Sequence, residues 1–346
     1  MSAARVLVTG GAGFLGVHLA RELARQGDQV RILDAAPGPA WAAALGVDYR
    51  LGDVRDPAAV GGALENVDAL IHAGFTSPHR PAAEIHSVNV DGTRNVLAQA
   101  SARGLRRVVL VSSTIVLSPP RPHPLLTGSA LSRLDAYRAS RVAAENVAEA
   151  ESRGNLSLAV VRPKTFVGPE RVGAFAIVFE RIHRGLAVPV FGTGANRYQL
   201  LDVRDLAEGL RRLLHAEATG RFGFGASQFT TVARDLQALI DHAGTASRLR
   251  FVSPRAARLL LRAIELAGLP PLSEWHHASA CGEDSVIDTS RAERELGWHP
   301  QRDNRQALCD AYDWYRRAME SEGSAPTTHV IPRAHRALER LIGLLR

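Results

Sequence analysis

Three polar residues in the first half of the sequence have the types and spacing of an acid–base centre. Ser113 follows an apolar run, and Tyr137 and Arg141 lie four residues apart in a later amphipathic stretch. Residues four apart share one helix face, so Tyr137 and Arg141 can point together. A tyrosine, with an unperturbed pKa of about 10, needs a neighbouring cation to act as a base near neutral pH, and a serine hydroxyl can orient the reacting oxygen. These residues predict proton transfer at a substrate oxygen.

A second group of residues predicts a nucleotide cofactor. Residues 9–16 read TGGAGFLG, directly after an apolar run and before an amphipathic stretch. Glycines at positions 10, 13 and 16 (Gly10, Gly13 and Gly16) allow a tight turn, a close approach of a pyrophosphate to the backbone, and close packing of helix on sheet. Asp34 ends the next apolar run, where its carboxylate can bind both hydroxyls of an adenosine ribose and repel a 2′-phosphate. NAD is therefore predicted, and NADP is disfavoured.

The elements that must position these residues follow from apolar periodicity. Short apolar runs predict strands at 5–9, 29–33, 68–72, 106–112 and 156–162. Amphipathic stretches predict helices at 14–26, 84–103 and 135–153, and later at 172–183, 203–215, 231–243, 254–267 and 305–320. Alternating strands and helices predict an α/β fold, a doubly wound parallel (Rossmann) sheet, and the mainly helical later part predicts a smaller C-terminal substrate-binding lobe.

These patterns predict three segments. Residues 1–168 form the NAD-binding domain, whose sheet is completed by later segments such as 195–215. Residues 169–320 form mainly the substrate-binding lobe. Residues 321–346 form a polar linker and a basic amphipathic helix, which we expect to pack on its own protein rather than on a membrane or a partner.

Composition excludes several classes of protein. The chain has 42 Lys and Arg against 35 Asp and Glu, a net charge of +7, but its basic residues are scattered without an aromatic-interleaved stripe. We therefore expect no nucleic-acid partner, although the positive charge favours an anionic substrate or cofactor. Two cysteines form no disulfide framework, no Cys/His spacing indicates a metal, and no apolar run is long enough to span a membrane. The expectation is a cytoplasmic enzyme without integral membrane association.

Taken together, the motifs resemble the extended short-chain dehydrogenase/reductases, the NAD-dependent epimerase/dehydratase family, over about residues 5–320. The matching pieces are the glycine loop, Asp34, Gly52-Asp53, 71–74 (IHAG), 89–95 (NVDGTRN), Ser113, Tyr137, Arg162-Pro163, Gly168-Pro169, 192–194 (GTG), 202–205 (DVRD) and 295–300 (ELGWHP). The resemblance implies catalysis by Ser113, Tyr137 and Arg141, and a homodimer formed through helices 84–103 and 135–153. The cofactor contacts that we predict are Gly10, Gly13, Phe14, Leu15, Gly16, Asp34, Asp53, Val54, His72, Ala73, Gly74, Tyr137, Arg141 and Pro163. Asp53 is equally compatible with adenine binding and with a plain Asp-containing turn.

Three departures from the family pattern bear on function. Arg141 stands at the lysine position of the family's YxxxK motif, and arginine is a bulkier, planar cation that cannot lose its proton. Thr114 and Ile115 follow Ser113 where the family's 4,6-dehydratases have an Asp-Glu pair, so water elimination is disfavoured. Thr165 stands where members that bind nucleotide sugars usually have asparagine, which weakens a nucleotide-sugar assignment.

Three functions remain open from the sequence. The first is an NAD-dependent oxidoreductase or epimerase acting at a carbinol or keto carbon of a sugar nucleotide or related small molecule. The second is an NAD(P)-dependent dehydrogenase or carbonyl reductase of a lipophilic, 3β-hydroxysteroid-type substrate, and the third is a catalytically weak NAD-binding protein. Lys164, the chain's single lysine, is a candidate to assist Tyr137 or to hold an anionic substrate. The full set of substrate candidates is Thr76, Thr114, Lys164, Thr165, Arg197 and Trp275.

Overall fold

The structure is a computed structural model that describes residues 3–117, 124–126, 135–152, 156–171, 173–257, 259, 278 and 282–322. Its strands are β1 (Arg5–Thr9), β2 (Gln29–Asp34), β3 (Asp48–Leu51), β4 (Ala69–His72), β5 (Arg107–Val111), β6 (Ser157–Pro163), β7 (Phe166–Val167), β8 (Val188–Phe191), β9 (Leu201–Asp202), β10 (Gly220–Phe224) and β11 (Leu249–Val252). Its helices are α1 (Phe14–Arg25), α2 (Ala40–Ala44), α3 (Pro57–Ala63), α4 (Ala82–His86), α5 (Gly92–Ala102), α6 (Ala136–Glu151), α7 (Ala176–His183), α8 (Val203–His215), α9 (Val232–Ala243), α10 (Ser290–Leu296) and α11 (Asn304–Glu322), with a π-helical turn at Ser87–Asp91.

A seven-stranded parallel sheet forms the centre of the first compact unit. Its strand order is β10-β6-β5-β4-β1-β2-β3, and every neighbouring pair is parallel. The order of strands reverses between β1 and β4, the position at which doubly wound sheets bind ligands at their carboxyl edge. The predicted doubly wound α/β fold is therefore confirmed.

Burial explains why the sheet forms from these residues. The central strands β1, β4, β5 and β6 are almost entirely buried, as parallel strands covered by helices on both faces must be. On one face, a core of aliphatic side chains from the strands packs against α3, α5 and α6. The helices α1 and α8 pack against each other, and α8 also contacts β4, β5 and β6.

The first unit is assembled from three chain segments, Met1–Lys164, Val203–Phe224 and Asp288–His299. The sequence places residues 169–320 mainly in the second lobe and predicts that 195–215 completes the sheet, whereas 203–224 and 288–299 lie in the first unit. The added strand is β10, which pairs with β6, while 195–202 belongs to the second unit. The third segment, Asp288–His299, packs on the added strand β10, because the Trp298 indole stacks on Phe224 with ring centroids 4.4 Å apart.

The second unit comprises Thr165–Asp202, Gly225–Ile287 and Pro300–Arg346. It has two short parallel strand pairs, β7 with β9 and β8 with β11. Its core gathers aromatic side chains from α7 and α11, and Cys309 is buried among them. Burial raises the pKa of the Cys309 thiol to about 11, as suits a small apolar filler. Helix α11 extends to Glu322, so it covers the first two residues of the predicted linker, and 323–346 lies outside the described residues.

Candidate active site

The glycine loop joins β1 to α1 in a form that leaves room for a phosphate. Gly10 has φ +71°, and a Cβ there would lie 2.6 Å from the Ala73 carbonyl oxygen. A Cβ on Gly16 would collide with the Gly11 carbonyl, so only glycine lets α1 approach the loop this closely. Gly13 is the N-cap of α1 and provides no side-chain acceptor for the first N–H groups of the helix. The N–H groups at the start of α1 and the helix dipole fit the pyrophosphate of NAD at this position.

Asp34 ends β2 beside this loop. Its Oδ2 accepts the Ala12 N–H at 2.9 Å, and its Oδ1 accepts the Ala36 N–H at 2.9 Å. Each carboxylate oxygen has a further lone pair with which to accept a ribose hydroxyl. The negative charge at this edge fits NAD and opposes a 2′-phosphate. Within α1, Leu15 is buried, and Phe14 makes an edge-to-face contact with His18, with ring centroids 5.5 Å apart.

Asp53 follows β3 but is held by its own neighbour. The Arg55 side chain donates from Nε to Oδ1 at 2.9 Å and from Nη2 to Oδ2 at 2.6 Å. These hydrogen bonds lower the pKa of the Asp53 carboxyl. Adenine would have to compete with Arg55 for these oxygens, so the geometry favours the Asp-containing turn. The next residue, Val54, is buried and lies under Gly74, where an added Cβ would come within 3.1 Å of its side chain.

His72 is fully buried at the end of β4, with both ring nitrogens engaged. Nδ1 lies 2.6 Å from Thr9 Oγ1, and Nε2 lies 3.0 Å from Thr93 Oγ1. Because Thr93 donates its own hydrogen to the Asn89 carbonyl at 2.6 Å, its oxygen accepts from His72, which assigns the ring proton to Nε2. Burial, reinforced by the charge of Arg141, lowers the pKa of His72 to about 3. The His72 ring is therefore bonded within the protein interior, and a contact of residue 72 with the cofactor stays a prediction.

The same hydrogen-bond network continues to the helix that carries Tyr137. The Asn89 side chain accepts the Thr76 N–H at 2.9 Å and donates to Ser140 Oγ at 2.9 Å. Ser140 in turn donates to the Tyr137 carbonyl at 2.7 Å. Asn89 lies in the π-helical turn that interrupts the predicted helix 84–103, and such turns often occur at functional sites. The substrate candidate Thr76 is thereby fixed through its backbone.

The Arg141 side chain reaches the carboxyl end of β5, two residues before Ser113. Helix α6 begins after the N-cap Asp135 and places Tyr137 one turn before Arg141. Arg141 is only 5% exposed, and its Nη2 donates to the Val111 carbonyl at 2.8 Å, two residues before Ser113. Ser113 Oγ accepts the Ile115 N–H at 3.2 Å. Helix α6 and the end of β5 thus bring together the elements that carry the three predicted catalytic residues.

The charge of Arg141 is held in a buried setting. Burial lowers the pKa of its guanidinium, and the opposing influence of Tyr137 and Glu145 favours the charged form. The Arg141 Cζ lies 3.6 Å from the centroid of the Phe75 ring. The sequence alone does not indicate a role for Phe75, because no family motif includes it and its contact with Arg141 joins residues 66 positions apart.

A buried ion pair lies beside this centre and was also missed. Glu145 and Arg162 have side chains that are each 1% exposed, and Arg162 Nη2 lies 2.5 Å from Glu145 Oε2. The Ser112 hydroxyl also donates to Glu145. The pair joins α6 to β6, the strand that ends at Pro163, and so fixes the helix that carries Tyr137.

The substrate candidates are divided between the two compact units. Lys164 is 1% exposed, and its N–H donates to the Phe224 carbonyl at 2.8 Å. The Thr114 hydroxyl is buried and has no hydrogen-bond partner within the described residues, so it is a group for a ligand to satisfy. In the second unit, Thr165 Oγ1 is hydrogen-bonded to the buried Tyr198 hydroxyl at 2.8 Å. Trp275 lies outside the described residues.

Arg197, also in the second unit, forms a two-bond ion pair. Its Nε and Nη2 donate to Asp284 Oδ2 at 2.9 and 2.7 Å, and its backbone N–H donates to Oδ1. Its guanidinium is therefore engaged within the protein. Over the described part of the chain, no three His, Cys, Asp or Glu side chains are grouped to hold a metal ion, and no helix has the length and apolarity to span a bilayer.

The parallel sheet and the glycine loop after β1 are those of a dinucleotide-binding domain. The chain belongs to the NAD dependent epimerase/dehydratase family, whose pattern matches residues 6–223. It is an NAD-dependent epimerase or dehydrogenase of the extended short-chain dehydrogenase/reductase type, and its cofactor is NAD. The predicted family, enzyme class and cofactor are confirmed.

Sequence relatives and a solved structure extend this assignment. An uncharacterized protein of Sinorhizobium fredii is 32% identical over 319 residues, 92% of this chain and 80% of that one. A 2-alkyl-3-oxoalkanoate reductase of Stenotrophomonas maltophilia is 28% identical over 86% of this chain and 95% of that one. The UDP-glucose 4-epimerase of Thermotoga maritima, solved with UDP-glucose, has a TM-score of 0.75 at 19% identity, over 91% of this chain and 99% of that one. At this identity, the structural likeness supports the fold alone.

Proposed function

We propose that this enzyme interconverts a secondary alcohol and a ketone, with Tyr137 as the acid–base group. One observation carries the proposal: Arg141, one helical turn after Tyr137, is bonded to the Val111 carbonyl beside Ser113. This hydrogen bond joins helix α6, which carries the proposed base Tyr137, to the end of strand β5, which is followed by Ser113, the residue proposed to orient the substrate oxygen. Both lie at the sheet edge where the glycine loop and Asp34 would hold NAD.

Each of the three residues has a defined part in the chemistry. In oxidation, the Tyr137 phenolate takes the proton of the substrate hydroxyl, and in reduction the phenol returns a proton to the carbonyl oxygen. Arg141 stabilises the phenolate, because a nearby positive charge favours the ionised form of an acid. Ser113 Oγ accepts the Ile115 N–H, so its own O–H is left to donate to the substrate oxygen. When bound, NAD accepts or supplies the two electrons and the hydrogen of the carbinol C–H bond.

We further propose that the substrate is a keto or hydroxy compound with an apolar chain rather than a sugar nucleotide. Thr165 replaces the asparagine usual in nucleotide-sugar binders, and its hydroxyl is bonded to the buried Tyr198. Arg197 is engaged by Asp284 instead of being presented to a diphosphate. One of the relatives is a 2-alkyl-3-oxoalkanoate reductase, whose named substrate class combines alkyl chains with a carboxylate. The net charge of +7 suits an anionic substrate of this kind.

The test combines nucleotide identification with a substrate comparison. The purified protein is denatured and any released nucleotide identified, and the folded protein is then assayed for NADH oxidation with 2-alkyl-3-oxoalkanoates and for interconversion of UDP-sugars. We expect reversible binding of NADH and oxidation of NADH by the 3-oxo acids. Stoichiometric, tightly held NAD together with UDP-sugar interconversion would instead establish an epimerase, and a preference for NADPH would contradict the role given to Asp34.

A single substitution tests the base. We expect Tyr137→Phe to lower turnover by roughly a hundredfold or more, because it removes the group that carries the proton. NADH affinity should remain close to that of the unmodified protein, as measured by fluorescence titration. Unchanged turnover in this variant would refute the assignment of Tyr137.

A further inference from the structure

A planar ring lies against the arginine that replaces the family's lysine. The Arg141 Cζ is 3.6 Å from the centroid of Phe75, with the guanidinium over the ring face. Burial of a guanidinium at 5% exposure disfavours its charge, and the negative face of an aromatic ring offsets part of that cost. A lysine ammonium can also lie over an aromatic face, but it has no planar fork whose orientation the ring could fix.

The nitrogen atoms of the Arg141 guanidinium differ in their hydrogen bonding. Nη2 donates to the Val111 carbonyl at 2.8 Å. Nε is buried and has no hydrogen-bond partner among the residues described. A buried donor left unpaired is costly, so such a group in a binding site is one that a ligand would satisfy. The stack and the Val111 bond together fix the plane in which Nε is held.

Phe75 is itself held on both sides by the hydrogen-bond network of the site. The preceding residue, Gly74, donates its N–H to Thr9 Oγ1 at 3.2 Å, and the following residue, Thr76, donates its N–H to Asn89 Oδ1 at 2.9 Å. The Phe75 ring also packs against the core and lies 5.1 Å, between ring centroids, from the His72 ring. The ring is thus a fixed surface rather than a loose side chain.

We propose that Phe75 is the positioning residue that makes arginine effective at the lysine position of this site. Its ring fixes the guanidinium plane, so that Nη2 stays on Val111 and Nε stays available to the cofactor or substrate. The effect of substituting Phe75 then depends on the presence of Arg141, and the effect of substituting Arg141 depends on the presence of Phe75. This inference rests on the proposed roles of Tyr137 and Arg141, but the readouts chosen below require no substrate.

The test is a double-mutant cycle of Phe75→Leu and Arg141→Lys. Two quantities are measured for each protein: NADH affinity, and the pH at which the Tyr137 phenolate forms, read as tyrosinate absorbance against the matching Tyr137→Phe protein. We expect Phe75→Leu to weaken NADH binding about thirtyfold and to move phenolate formation to higher pH. In the Arg141→Lys background, the same substitution should change NADH affinity by less than about twofold.

Matched controls separate positioning from general packing. Phe75→Tyr keeps the ring and should retain the NADH affinity of the unmodified protein. Phe222→Leu removes a comparable stack, that of Arg291 Cζ at 4.2 Å over the Phe222 ring, and should leave both readouts unchanged. Phe75→Met serves in place of leucine if thermal unfolding shows that the leucine variant does not fold.

Two results would overturn the proposal. One is an equal effect of Phe75→Leu in the unmodified protein and in the Arg141→Lys background, which would assign Phe75 a merely structural role. The other is unmodified NADH affinity and phenolate titration in Phe75→Leu. Failure to find a ketone substrate would count against the proposed function, while these two substrate-free readouts would still decide the role of Phe75.

Discussion

Acid pH should destabilise the protein through His72. The His72 side chain is fully buried, and the hydroxyls of Thr9 and Thr93 bond its two ring nitrogens. Burial, with a smaller influence of the Arg141 charge, lowers its pKa to about 3 from the ordinary value of 6.5. The folded protein therefore keeps this ring neutral at pH values where the unfolded chain protonates it.

The sign and size of the effect follow from proton linkage. Well above pH 6.5 neither state is protonated at His72, and the full stability is present. As the pH falls from 6.5 toward 3, the unfolded state binds about one more proton than the folded state, so unfolding becomes easier by ~1.4 kcal/mol per pH unit. Two units below 6.5, at pH 4.5, the loss from this one group is about 3 kcal/mol.

Urea unfolding at pH 7.5 and pH 4.5 measures this loss. His72→Gln keeps an acceptor and a donor group but does not titrate. Because an amide does not fill the space of the buried ring, the variant should be less stable than the unmodified protein at pH 7.5. The difference in unfolding free energy between the two proteins should then shrink by about 3 kcal/mol at pH 4.5. His86→Gln, at an exposed position, is the matched control and should leave the pH dependence unchanged. An equal difference between the His72 variant and the unmodified protein at both pH values would refute the reasoning.

Two further substitutions probe buried charges near the site. Glu145→Gln leaves the Arg162 guanidinium without its carboxylate in a fully buried setting, so urea unfolding should show a loss of about 3 to 5 kcal/mol, with part regained in Glu145→Gln/Arg162→Met. A loss below about 1 kcal/mol would contradict the assigned burial of the pair. Lys164→Arg should lower turnover at least roughly tenfold while NADH binding is kept, because the bulkier fork cannot replace a compact ammonium. Full turnover in that variant would remove Lys164 from the site.

The sequence predicted the elements whose apolar pattern is uninterrupted. The prediction for β1 matches Arg5–Thr9, and those for β4, β5 and β6 differ from the structure by at most one residue at each end. Helices on both faces of a parallel sheet require continuous apolar runs, and such runs are visible without a structure. The glycine loop and Asp34 were equally accessible, because their residue types are dictated by backbone space and by the charge of the cofactor.

Elements without such a pattern were missed. Strand β10 reads GRFGF, and its two glycines and arginine interrupt the apolar run that marks a strand, so the edge of the sheet was placed elsewhere. The π-helical turn at Ser87–Asp91 has no distinct residue pattern within helix 84–103. The network through Thr9, Asn89 and Ser140 joins small polar residues far apart in the chain, and only the fold brings them together. The homodimer and the cytoplasmic location stay predictions.

Residue 141 is an arginine at the position where the family has a lysine. The sequence leaves open whether an arginine in the lysine position marks a rebuilt site or a decayed one. A decayed site has no reason to keep a charged group at 5% exposure, since burial alone disfavours the guanidinium and lowers its pKa. Arg141 is instead supported by the Phe75 ring, the Val111 carbonyl and the negative field of Glu145. Because so many contacts offset the cost of one buried charge, the structure favours a site rebuilt around arginine.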